Sequence, residues 1–100
     1  MTELVIDFRK QKLPQIKQIL HILSGKTRIE ILKNICGDKD LSSTALAKVM
    51  DCSISNVCQH ITELERGGFI MRKTAKTVGT NIKFIKPVYN RIEIIFGDEE

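Results

Sequence analysis

The sequence predicts a small, mainly α-helical protein that carries one β-hairpin. Two observations predict this. Apolar residues recur at three- and four-residue spacing over most of positions 14 to 66, and the pattern then changes to two β-like stretches joined by a Gly-containing segment. One hundred residues, 42% of them hydrophobic and 28% charged, fit one folded domain spanning 1–100.

The first helix is expected from Pro14 to Leu23, with proline in its first turn and Ile16, Ile19, Leu20 and Leu23 along one stripe. The apolar, β-branched residues before it, Leu4 to Phe8, either extend this helix or form a short strand; nothing local decides between them. Ser24 is read as the N-cap of a second helix that runs to Cys36 and stops at Gly37, with Ile29, Leu32, Ile35 and Cys36 on its buried face. A third helix follows Ser42 or Ser43, with Ala45, Leu46, Val49 and Met50 inside. Asp51 and Cys52 make a turn and Ser53 caps a fourth helix, about 54–66. Its apolar positions Ile54, Val57, Ile61 and Leu64 define one face.

Gly67 and Gly68 end that helix. Phe69 to Thr74 and Asn81 to Lys86 read as the strands of a basic hairpin, with positions 75 to 80 between them. Pro87 is read as opening a last helix in which Val88, Tyr89, Ile92, Ile95 and Phe96 share a face. Helix, helix, turn, helix and hairpin, in that order, make a winged helix-turn-helix, with the helix-turn-helix at 42–66 and the wing at 69–86.

Charge points to a polyanionic partner. The net charge is +4 and the isoelectric point about 9.1, but the cations are clustered. Arg9, Lys10, Lys12, Lys17, Lys26 and Arg28 form one run without an acidic residue, and Arg66, Arg72, Lys73, Lys76, Lys83 and Lys86 form another. No apolar run has the length of a membrane span, and Met1-Thr2-Glu3 does not open like a secretory leader, so a cytoplasmic protein is expected. Cys36, Cys52 and Cys58 lack the paired spacing of a zinc framework. Cys36 and Cys52 read as small core residues. Cys58, in the fourth helix, is the one position where oxidation would disturb docking.

On the fourth helix, turning the apolar stripe inward leaves Ser55, Asn56, Gln59, Thr62 and Glu63 outward. Ser53, Ser55, Asn56 and Gln59 occupy the amino-terminal part, which meets base edges in helix-turn-helix docking. Amides of Asn and Gln match the edge of adenine. Arg72, Lys73, Lys76, Thr77 and Thr80 on the wing (72–83) are the expected contacts to phosphates or the minor groove. His60 is read equally as a phosphate contact or a structural residue, and His21 as packing or surface.

Several segments also resemble one family. Thr27-Arg28-Ile29-Glu30-Ile31-Leu32 is similar to the "TR-apolar-x-IL" that opens the second helix of arsenic-repressor (ArsR) type winged-helix regulators. Ala45-Leu46-Ala47 is similar to the family's "eLA", Ser53 to Ile61 resembles "lsqstvSrHL", and Leu64 to Ile70 resembles "LreaGLv". The resemblance covers about two-thirds of the chain, from Leu23 to Lys86. It implies a homodimeric regulator that binds double-stranded DNA at a palindromic site.

In that family the first and last helices form the dimer interface. Here this implies 1–23 and 87–100, with Ile16, Ile19, Leu20, Val88, Tyr89, Ile92, Ile95 and Phe96 in contact. The family's metal sensors carry cysteine-x-cysteine where this chain has Ser42 and Thr44, and hydroxyls do not replace thiolates. No metal and no cofactor are expected. Nor is an enzyme, since no nucleophile elbow, phosphate loop or paired carboxylates are evident. The alternatives in other classes are a winged-helix protein-interaction module and a DNA-binding sensor switched by thiol oxidation.

Overall fold

The computed structural model describes residues 3–36, 40–77 and 80–97, and for 76, 77, 80 and 81 the backbone only. The order of elements is β1 (Glu3–Asp7), α1 (Leu13–Leu23), α2 (Lys26–Ile35), α3 (Ser43–Met50), α4 (Ile54–Arg66), β2 (Ile70–Thr77), β3 (Thr80–Pro87) and β4 (Arg91–Ile95).

Local chemistry sets most of the boundaries. Asp7 closes β1: its carboxylate accepts from the Arg9 backbone N–H at 3.0 Å and from the Arg9 guanidinium at 3.1 Å, and its own N–H donates to Gln11 Oε1 at 2.9 Å. Pro14 lies in the first turn of α1. Ser24 does not cap α2 as expected. Its hydroxyl donates to the His21 carbonyl at 2.7 Å and finishes α1 instead. Gly25, at φ +99°, makes the reversal that separates the two helices, and α2 starts at Lys26.

Ser42 and Ser53 cap α3 and α4, accepting from the N–H groups of Ala45 and Asn56. Asp51 provides the left-handed turn between these helices at φ +54°, and the Cys52 N–H donates to the Ala47 carbonyl at 2.9 Å. α4 ends in a Schellman motif: the Phe69 N–H donates to Leu64 O and the Gly68 N–H to Glu65 O, with Gly68 at φ +81°.

The core collects Ile31 and Ile35 of α2, Leu46 and Ala47 of α3, Val57, Ile61 and Leu64 of α4, and Phe69, Ile70 and Ile85. This turns α2 and α3 from their expected orientations. Ile29 and Cys36 of α2 are exposed and Ile31 is buried in their place; on α3, Val49 is exposed and Ala47 buried. The rotation of α2 brings Arg28 against its neighbours, where it bonds to two of them.

β2 and β3 form an antiparallel hairpin that runs from Ile70↔Pro87 to Thr77↔Thr80. The strands thus take in most of the segment expected to be loop, and 78 and 79 lie outside the described residues. Leu41 adds a bridge to Ile85, whose N–H donates to Leu41 O at 2.8 Å.

The expected last helix is replaced by a strand. β4 pairs in parallel with β1, from Glu3↔Arg91 to Asp7↔Ile95, which also settles Leu4–Phe8 as strand in the main. The alternation of Ile92 and Ile94 with Arg91 and Glu93 suits a strand, and Leu4 and Ile6 receive the isoleucines on one face of the pair. Ile6 is fully buried there. Tyr89, in the connection, packs edge-on to Phe69 at 5.8 Å, and the Val88 N–H donates to Phe69 O.

Candidate nucleic-acid interface

The α3–turn–α4 unit projects α4 because its buried stripe is narrow. Val57, Ile61 and Leu64 are fully buried, while Ser55, Asn56 and Gln59 are exposed on the opposite side. Ser53, beside them, is exposed but is used as the cap, with its hydroxyl 3.5 Å from that of Ser55. Thr62 is turned to its own helix, donating to Cys58 O at 2.9 Å, and Glu63 pairs with Arg66. The outward row thus narrows to Ser55, Asn56 and Gln59, at the amino-terminal end.

Ile54, at the start of the helix on the line of the buried stripe, is exposed as well. It is expected inside from its place in the stripe, yet it is 50% exposed. As the first helical residue, it lies beyond the reach of the α2 and α3 packing that covers Val57. Its missed signal is position: an apolar residue directly after a cap is often outside the core. Among base edges it matches only the thymine methyl group.

His60 sits on the flank of the stripe, not in the outward row. Its Nδ1 accepts from Arg28 Nε at 3.3 Å, and Arg28 also donates to the Ile22 carbonyl at 3.1 Å. One guanidinium thus joins the end of α1, α2 and α4. Of the two readings left open for His60, this geometry supports the structural one. His21 is exposed on α1.

The wing is less cationic in space than in sequence. Arg72 pairs with Glu65 at the end of α4 at 3.3 Å, Arg66 pairs with Glu63 at 3.2 Å, and Lys86 pairs with Asp40. The basic run that is unopposed along the chain is therefore partly neutralised by carboxylates that folding brings to it. Lys73 and Lys83 are exposed, on opposite faces of the hairpin, as the register Lys73↔Phe84 and Thr74↔Lys83 requires. Lys76, Thr77 and Thr80 belong to the strands, but their side chains lie outside the described residues.

Of the residues expected at a dimer interface, several are taken up within the chain itself. Ile16 is buried within the chain, Ile19 packs on the core and Tyr89 on Phe69. Leu20 is exposed on α1, and Ile92 and Phe96 are exposed on or just after β4; Val88 and Ile95 are half-buried. Cys52 is half-buried, with its thiol 3.4 Å from Met50 O, and Cys58 is half-buried. Among the described residues no group of three or more His, Cys, Asp or Glu is placed to hold a metal, and no helix is long and apolar enough to cross a membrane.

A helix-turn-helix followed by a two-stranded wing defines the winged helix-turn-helix class. The model of the helix-turn-helix domain family matches residues 22–73, just over half of the chain, and the chain belongs to that family. No curated protein matches it.

Solved structures share the fold. Reduced HlyU from Vibrio cholerae superposes with a TM-score of 0.62 at 23% identity, over 77% of this chain and 76% of that one. The homodimeric winged helix-turn-helix DNA-binding domain of Mb0332 from Mycobacterium bovis, a possible ArsR-family transcriptional regulator, gives 0.63 at 16% identity, over 75% and 65%. A transcriptional regulator homologue from Pyrococcus horikoshii gives 0.60 at 22% identity, over 76% and 77%.

Proposed function

We propose that this protein binds double-stranded DNA as a homodimeric transcription regulator, with α4 in the major groove and the wing against the backbone. The observation that carries the reading is the exposed row Ser55, Asn56 and Gln59 on the helix that a helix-turn-helix projects. These groups have no core to serve, and their donors and acceptors are those that read base edges, adenine in particular. Ile54 adds a thymine-methyl contact. The names of the Mycobacterium and Pyrococcus neighbours support regulation as the use of such binding, and the first supports the homodimer.

Because α4 is nearly uncharged on this face, sequence choice and binding strength are divided. α4 selects the sequence, while Lys73 and Lys83, with Lys76 on the same hairpin, supply the phosphate contacts. A twofold dimer would present two copies of α4 to major grooves about 34 Å apart and so select a palindromic site.

Selection of bound fragments from random duplex DNA tests this directly. The expected result is an enriched sequence with A·T pairs at the α4 contacts and two inverted half-sites. Recovery of unselected fragments, or of none, would overturn it.

A further inference from the structure

The feature left without a role is the β1·β4 pair. Among the described residues it is a sheet of two parallel strands. Parallel pairing normally occurs inside larger, covered sheets, and isolated two-stranded pairs are marginal in water. One edge of β4 is taken by β1: the Phe8 N–H donates to Ile95 O at 2.9 Å. Backbone groups alternate along a strand, so the N–H and C=O groups of Ile92 and Ile94 point to the other edge. β4 contains no Pro, Gly or Lys to protect that edge, and Ile92 and Ile94 are each about two-fifths exposed, at 40% and 44%.

We propose that this edge is closed by β4 of a second copy, antiparallel about a twofold axis at Ile92, giving a continuous sheet in the order β1-β4-β4-β1. The proposal rests on the homodimer proposed above and specifies where it is joined. Charge identifies the occupant and the register. Arg91 and Glu93 share one face of β4, with Arg91 Nη2 3.7 Å from Glu93 Oε2. A twofold axis at Ile92 sets Arg91 opposite the partner's Glu93, and Glu93 opposite the partner's Arg91, in the closely spaced, non-hydrogen-bonded positions. Ile92 and the partner's Ile92 then exchange both backbone hydrogen bonds. An axis at Glu93 would set two carboxylates face to face, and one at Ile94 would leave both charges opposite uncharged residues. The strand is thus complementary to its own inverted copy in one register.

Trans-complementation tests this without depending on one variant's folding. Arg91→Glu places carboxylates against the partner's Glu93 at both symmetric positions, and Glu93→Arg does the same with cations. Each alone should raise the dimer dissociation constant by about tenfold, read by light scattering and sedimentation over a concentration series. An equimolar mixture of the two restores opposite charges at both positions and should recover the wild-type dissociation constant. That recovery is specific to a β4–β4 contact, because within either chain the two charges remain alike. Wild-type protein that stays monomeric overturns the homodimer reading and this one together. A wild-type dimer unaffected by either substitution, or loss without recovery on mixing, overturns only the strand pairing.

Discussion

Arg28 donates from Nε to His60 Nδ1 at 3.3 Å, so a half-buried cation of α2 holds the helix expected to read DNA. The same guanidinium reaches the Ile22 carbonyl at 3.1 Å. Arg28→Ala should therefore lower the unfolding free energy by about 1–3 kcal/mol, and His60→Ala by about 1 kcal/mol. Urea melts of both single variants and the double variant measure the coupling, expected at about 0.5–1 kcal/mol. Strict additivity would mean that the contact contributes nothing. Loss of DNA affinity in His60→Ala at unchanged stability would assign that side chain to phosphate.

At Gly68 the α4–β2 junction resists a side chain through its backbone conformation. At φ +81° in the Schellman motif, a side chain is strained even though nothing lies within 4 Å of its added Cβ. Gly68→Ala should cost about 1 kcal/mol, and Gly68→Asn less, because Asn accepts the left-handed conformation more readily. At Gly67 the cause is different: an added Cβ would sit 2.7 Å from Ile22 Cδ1 and 3.2 Å from Phe69 Cδ2. Gly67→Ala should cost about 1–3 kcal/mol through overpacking, and Ile22→Val in the same chain should recover part of it. Thermal melts separate the two cases, because Ile22→Val should not rescue Gly68→Ala.

Asp7 should give the protein an acid-sensitive component of stability. The Arg9 guanidinium, helped by the Arg9 backbone N–H, holds its carboxyl below the usual aspartate range against the opposing effect of desolvation. The unfolded chain then binds the proton more readily than the folded one. This contribution is present in full above the ordinary aspartate range and is lost as pH falls through the lowered folded value. Asp7→Asn should be less stable than wild type at neutral pH, and the two should converge in acid. Parallel stability curves across that range would show that Asp7 contributes nothing through its charge.

The helix-turn-helix was legible because its signals are local. Ser42, Ser53 and the Gly67-Gly68 pair act within one turn of helix, and the spacing of Val57, Ile61 and Leu64 marks a buried stripe without reference to the rest of the chain. β4 was not legible, because what makes it a strand is pairing with β1 at the opposite end of the sequence. Ile92, Ile95 and Phe96 have helical spacing, and Pro87 suits a helix start as well as a strand end. Only Leu4 and Ile6, brought alongside, favour the alternation of Ile92 and Ile94. The wing's charge was misread for the same reason. Glu65 and Asp40 lie outside the wing in sequence and reach Arg72 and Lys86 only in the folded protein.

That neutralisation separates two cations adjacent in sequence. Lys73 is exposed on the face of the hairpin carrying Phe84, whereas Arg72 turns to Glu65 on the other. If the wing holds phosphates, Lys73→Ala should weaken binding to every sequence alike and reduce the salt slope by about one. Arg72→Ala should change the slope less, because its charge is already paired within the chain, and should instead cost up to about 1 kcal/mol of stability. Gln59→Ala should leave the slope intact and narrow the gap between the selected site and random DNA by about 1–3 kcal/mol. Binding titrations at several salt concentrations, on both DNAs, read all three. A slope lost with Arg72 and kept without Lys73 would place the phosphate on the other face of the wing.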